Sequence, residues 1–227
     1  MRFASYNVHA FSGRQGLYDP ALALVVIEQL QAKVVALQEV RADDRQGLTM
    51  LSAFAREQNY ELVLGPTIVE QSGHHFGNAL LLKGWLKTIT LHDISLAQRE
   101  PRGVIEVEVE LAGMAWRIFA THLGLSPSER RQQVKWLLAM LGRQTAASNT
   151  VLMGDLNEWY IWGRPLRWLK SYFQLGYAPL TFPAPCPLFA LDRIWVHPAY
   201  RVKQVWALKT EQSVIASDHL PVVVELQ

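Results

Sequence analysis

The chain has 227 residues, half of them hydrophobic, and 22 lysines and arginines against 20 acids leave a formal charge of 22 − 20 = +2. That length and mixed composition belong to a globular enzyme able to bury a core, and they exclude a disordered, fibrous or strongly cationic chain. So small a charge gives no argument for nucleic acid, although a local basic groove is compatible with it.

No linker divides the sequence, so residues 1–227 are expected to form one domain. The single cysteine, Cys186, lies between prolines and has no internal disulfide partner, which fits a reducing compartment. The N-terminus lacks an apolar signal region and no segment approaches the roughly 18 apolar residues of a spanning helix. The expected location is cytoplasmic.

Arg2 to Asn7 reads as a first strand, presenting Asn7 and then His9 at a break marked by Ser12, Gly13 and Gly16; His9 itself reads as an exposed loop residue. After Pro20, residues 21–31 carry Leu22, Val25, Val26 and Leu30 at helical spacing, and Val34 to Glu39 is a buried strand ending on a carboxylate. Residues 47–58 predict a helix and residues 61–64 a strand. Gly65 to Gly77 reads as a polar loop; its His74 and His75 have no third nitrogen or sulfur ligand in register for zinc.

Strands are expected over 78–82, 86–91 and 104–111, the last alternating Glu106, Glu108 and Glu110 with Val107, Val109 and Leu111. That alternation is the pattern of an antiparallel strand with one wet face. Trp116 to Thr121 is another strand, delivering His122. Ser126-Pro127-Ser128-Glu129 then reads as a capping box opening a helix with Val134, Leu137, Leu138 and Leu141 on one stripe.

The apolar run Val151-Leu152-Met153 stops at Gly154, which permits close backbone approach, and delivers Asp155 and Asn157. In an extended chain these two side chains point the same way, an acid and an amide suited to a hard cation and a phosphate oxygen. Turn chemistry accounts for Asp and Asn at such a place as well. From Trp159 to Trp168 aromatics interleave with arginines, a pattern that suits base stacking, a lipid surface, or core packing with solvated arginines. A loop over 181–187, strands over 191–196 and 203–208, and Ser217-Asp218-His219 before a last strand over 222–226 complete the chain.

Leu-Gln-Glu at 37–39, Thr-His-Leu at 121–123, Gly-Asp-Leu-Asn at 154–157, Leu-Asp-Arg-Ile at 191–194 and Ser-Asp-His at 217–219 stand in this order. Together they resemble the endonuclease/exonuclease/phosphatase superfamily from first strand to last. The resemblance implies a four-layered α/β sandwich, two mixed sheets flanked by helices, and divalent-metal-dependent hydrolysis of phosphate esters. It also implies a metal position at Asn7, Glu39 and Asp218, with Glu39 the direct ligand of Mg²⁺ (or Mn²⁺), since a hard cation takes oxygen. His122, Asp155, Asn157, Asp192 and His219 form the expected catalytic set, with His219 the general base held by Asp192. Asn78, Arg102, Trp162 and Arg164 are assigned to substrate binding.

His122 in its Thr-His-Leu setting resembles deoxyribonucleases, sphingomyelinases and inositol-phosphate phosphatases, whereas the Pro-Asn-Gly-type motif of the abasic-site endonucleases is absent. The expected activity is a phosphodiesterase or phosphatase acting on a phospholipid head group, sugar phosphate or similar ester. A DNA or RNA nuclease and a catalytically silent binding module are the alternatives. The expected partner is therefore a phosphate-ester substrate, with a membrane surface or nucleic acid compatible.

Overall fold

The computed structural model describes residues 1–43, 46–143, 147, 149–174 and 178–227. Its first half alternates β1 (Arg2–Asn7), α1 (Pro20–Gln29), β2 (Val34–Ala42) and α2 (Gly47–Glu57) before a run of strands: β3 (Glu61–Val69), β4 (His75–Leu82), β5 (Trp85–Asp93), β6 (Gly103–Leu111) and β7 (Met114–His122). Then come α3 (Pro127–Leu141), β8 (Asn149–Asp155), α4 (Arg164–Phe173), β9 (Asp192–His197), β10 (Val202–Ala207), α5 (Glu211–Ala216) and β11 (Val222–Leu226). Six strands pair in the order β10-β11-β1-β2-β4-β3 and five in the order β5-β6-β7-β8-β9.

The apolar runs explain the layering. Phe3, Val34, Ala36, Ile118, Ala120, Val151 and Met153 point into a core shared by the two sheets. Their neighbours Ala4, Tyr6, Val35 and Leu37 turn the other way, onto α1, α2 and α5. Phe119 and Leu152 likewise turn outward onto α3 and α4. Both faces of the central strands are covered, so their sequences read as continuous hydrophobic runs, as buried strands must. The result is the expected four-layered sandwich of two mixed sheets flanked by helices.

Each sheet has one parallel pair at its middle, β1 with β2 and β7 with β8. The parallel strands end together, which brings Asn7, Glu39, His122 and Asp155 to one rim. β9 runs antiparallel to β8 and begins there with Asp192, opposite Asp155. β11 runs antiparallel to β1, so His219, just before it, reaches the same rim. Gly154 is required at this place: a Cβ there would stand 1.8 Å from Thr121 O, and its φ is +149°.

Several local expectations are corrected. The segment 65–77 is mostly strand, because β3 and β4 pair as far as Val69 with His75, and Gly77 lies so close that a Cβ would stand 2.4 Å from Gly65 O. β3 is an edge strand, where Pro66 costs no central ladder bond. The capping box at Ser126 does not form: Ser126 Oγ contacts Ser128 Oγ, and Glu129 turns inward to accept from Gln133. A reciprocal box forms instead between Thr210 and Ser213 at the start of α5. Neither α4 nor α5 is anticipated from the sequence.

Candidate active site

At the rim, Asn7 Nδ2 donates to Glu39 Oε1 at 2.8 Å and to Asp155 Oδ2 at 3.2 Å. One amide nitrogen thus reaches both carboxylates, and Asn7 Oδ1 is taken by the backbone N–H of His9 at 3.0 Å. Glu39 is turned toward its partners by an irregularity in β2, where the register with β4 shifts between Leu37 and Val40 and Glu39 has φ 59°.

The chain does not stay extended past Asp155. Asn157 has φ 48°, and its backbone N–H donates to Asp155 Oδ1 at 2.9 Å, so the motif is an Asx turn. That turn swings the Asn157 amide to Leu123 O and to His122 Nε2, each at 2.9 Å. Asp155 Oδ2 then lies between two imidazoles, 3.6 Å from His122 Nε2 and 3.8 Å from His219 Nε2. His219 Nδ1 donates to Asp192 Oδ2 at 2.8 Å, and that oxygen also accepts the hydroxyl of Thr181 at 2.6 Å. Phe182 packs on the His219 ring with centroids 4.8 Å apart, and Ser217 Oγ ties the His219 loop to Asn7 O at 2.7 Å.

Residues 4–219 match the Endonuclease/Exonuclease/phosphatase family. The chain belongs to this family. It is 26% identical over 217 residues to the uncharacterized protein YbhP of Escherichia coli K12, a match covering 88% of this chain and 85% of that protein. The mannosyl-6-phosphatase Bt3783 of Bacteroides thetaiotaomicron superposes with TM-score 0.78 at 18% identity, covering 100% of this chain and 99% of that one. D. rerio TDP2 complexed with single strand DNA product superposes with TM-score 0.73 at 16% identity, covering 99% and 97%. At such identities the two structures establish the fold. Family members hydrolyse phosphoester bonds and are generally dependent on a divalent metal.

The family site here opens into a cleft of about 280 Å³ whose lining includes Glu39, Arg102, His122, Asp155, Asn157, Asp218, His219 and Trp159. Asn78 lies behind it, buried, its amide donating to Gly103 O at 3.2 Å. Trp162 and Arg164 do not line it: Trp162 is exposed against Tyr160, and Arg164 begins α4. Of the segment from Trp159 to Trp168, Trp159 does line the cleft, and Thr181, Phe182 and Ser217 are parts of the site that the sequence reading gave no role. For Thr181 the signal available was its place in Thr-Phe-Pro-Ala, eleven residues before Asp192.

Burial is the largest influence on both histidines, and their neighbours drive them in opposite directions. Burial lowers the His122 pKa to about 3, with Arg102 and His219 adding to the effect and Asp155 opposing it. Arg102 Nη1, which cannot accept, donates to His122 Nδ1 at 3.1 Å. That charge-assisted bond makes Nδ1 an acceptor, and Asn157 Nδ2, likewise a donor, faces Nε2 at 2.9 Å, so both nitrogens of the ring meet donors. Burial also presses His219 downward, but Asp192, Asp155 and Asp218 outweigh it and lift the ring to about 10. Glu39 is raised, mainly by burial and further by Asp155, against the hydrogen bond from Asn7.

Among the described residues no lysine or arginine forms an ion pair with Glu39, Asp155, Asp192 or Asp218; Asp218 lies 3.7 Å from His9 Nδ1 and accepts from Ser217 Oγ at 3.4 Å. Asp155, Asp192 and His219 also bring ligand atoms within 4.8 Å of one another. Carboxylates gathered under partial burial with so little positive charge fit a divalent cation bound through oxygen. Among the described residues no helix is long and apolar enough to cross a membrane.

Proposed function

We propose that the chain is a divalent-metal-dependent phosphodiesterase or phosphomonoesterase, using Mg²⁺ or Mn²⁺. The observation that carries this reading is Asp155, set between a neutral His122 and an Asp192-bound His219 and linked through Asn7 to Glu39. Held by Glu39 and Asp155, with Asp218 near, the cation would polarise a phosphoryl oxygen and offset the carboxylate field that raises His219. Asp192 and Thr181 fix the His219 tautomer with Nδ1 as donor, leaving Nε2 to take a proton from the attacking water. His122, kept neutral and faced by the N–H groups of Arg102 and Asn157, lies in the cleft where a phosphoryl or leaving oxygen would sit. Asn157 positions that ring through its amide nitrogen, which is itself held by Leu123 O. Two histidines with values driven apart support a division of roles, with His219 the base and His122 held neutral.

Trp159 and Phe182, in edge contact at 5.7 Å, form the apolar wall of the cleft and would meet the group esterified to the phosphate. The free, exposed Cys186 supports a cytoplasmic setting. A nuclease is the competing activity. Rates on bis(p-nitrophenyl) phosphate, p-nitrophenyl phosphate and supercoiled plasmid, each with Mg²⁺ or Mn²⁺, separate the two. Turnover of the small esters without nicking of plasmid supports the proposal, and plasmid nicking without small-ester turnover refutes it.

A further inference from the structure

Beside the cleft mouth the surface combines charge and apolar area in one place. α3 and α4 pack together over the second sheet, and the charges they leave in reach of solvent are Arg131, Lys135, Arg164, Arg167 and Lys170. The one acid in either helix, Glu129, is buried. Lys135 Nζ lies 5.8 Å over the Trp168 ring, joining the two helices across this basic face. At the cleft end of the face the chain exposes Leu125 by 65%, Ile161 by 73% and Trp162 by 68%. Trp159 continues this apolar surface into the cleft, with its ring 4.8 Å from Phe189.

We propose that this face docks on an anionic lipid bilayer. Tyr160, Ile161 and Trp162 enter the boundary between headgroups and acyl chains, the basic groups of α3 and α4 meet lipid phosphates, and the cleft opens toward the headgroups. Aromatic rings at the interface, an aliphatic tip and a flank free of exposed acids are the combination that holds a protein on such a surface. A nucleic acid is also a polyanion, but Leu125 and Ile161 offer no stacking face, whereas they gain by burial among acyl chains. On another side of the cleft, sharing Phe76 and Glu100 with it, a cavity of about 490 Å³ mixes acids with Arg41, His74 and His75, its Glu100 bridged to Arg102 at 3.1 Å, and so offers no basic track to a polynucleotide continuing from the cleft. The substrate class that follows is a phosphate ester within a lipid headgroup; this last step rests on the phosphoesterase reading, and the docking does not.

Flotation with vesicles of phosphatidylcholine, alone or mixed with phosphatidylglycerol, tests the docking in EDTA, where binding is read without hydrolysis. The full chain should float with the anionic vesicles and be released by salt. The double variant R167E/K170E should weaken this at least tenfold, since each basic group near an anionic surface contributes about fivefold. Ile161→Asp should abolish flotation, and both variants should keep wild-type rates on bis(p-nitrophenyl) phosphate. Absence of flotation, or flotation unchanged in both variants, overturns the proposal. So does binding of a single-stranded oligonucleotide that both variants lose while vesicles are ignored. Flotation without hydrolysis of any ester leaves the docking standing and removes the phosphoesterase reading instead.

Discussion

Asp192 Oδ2 accepts the Nδ1 proton of His219 at 2.8 Å, and the same oxygen takes the Thr181 hydroxyl. That carboxylate both orients the ring and raises its affinity for a proton. Asp192→Asn should lower kcat by about 10²-fold or more, the scale of a disabled general base. It should also bring the His219 ring titration, followed by NMR in cation-free protein, well below about 10. A midpoint that does not move would remove Asp192 from this role.

Stability of the cation-free protein should depend on pH through both histidines, with opposite signs. His219 is raised from 6.5 to about 10, so its contribution is complete below 6.5 and is lost as pH climbs through 10. His122 is lowered from 6.5 to about 3, so the unfolded chain takes up its proton first and stability falls as pH drops from 6.5 toward 3. Thermal melts of His219→Gln should be flatter on the alkaline side, and those of His122→Gln flatter on the acid side. A variant with the wild-type slope in its window contradicts the assignment.

Glu39 is a carboxylate burdened by burial and by Asp155. Glu39→Gln should therefore leave the cation-free protein as stable as wild type or more so. A saturating divalent cation, at about 100 times its Kd, should raise the wild-type Tm by roughly 5–10 °C. That rise should shrink strongly in Glu39→Gln. Equal rises in the two proteins would take Glu39 out of the cation site.

The loop that carries Asn157 is held from below by a buried ion pair, Arg130 Nε to Glu158 Oε2 at 3.3 Å. Arg130 also donates to the carbonyls of Gly124 and Leu125, just after His122. Glu158→Ala leaves a buried guanidinium uncompensated and should cost about 3–5 kcal/mol. Denaturant melts check this; a loss below about 1 kcal/mol would mean that the pair is hydrated or replaceable.

The four-layered sandwich was implied by the resemblance of the five motifs, while the buried strands and the shared rim were legible in patterns that survive in one dimension. Continuous apolar runs such as 34–37 and 151–153 mark strands covered on both faces, and each ends on a polar group that the parallel pairing carries to one rim. What depends on long-range contact was not legible. Gly65 and Gly77 look like loop residues in sequence and are strand residues because their backbones touch. Glu129 has the spacing of a cap but is drawn inward by Gln133. The division between His122 and His219 comes from Arg102 on one ring and Asp192 on the other, partners separated from them by 20 and 27 residues.

The central claim is that Asp155 and its neighbours hydrolyse a phosphoester with a divalent cation. The most direct measurement is the initial rate of bis(p-nitrophenyl) phosphate hydrolysis by protein stripped with EDTA and then titrated with Mg²⁺ or Mn²⁺, beside Asp155→Asn. The account predicts no turnover after stripping, recovery on adding cation, and a rate lower by about 10²-fold or more in a folded Asp155→Asn. Full activity in EDTA, or wild-type rates from Asp155→Asn, would contradict it.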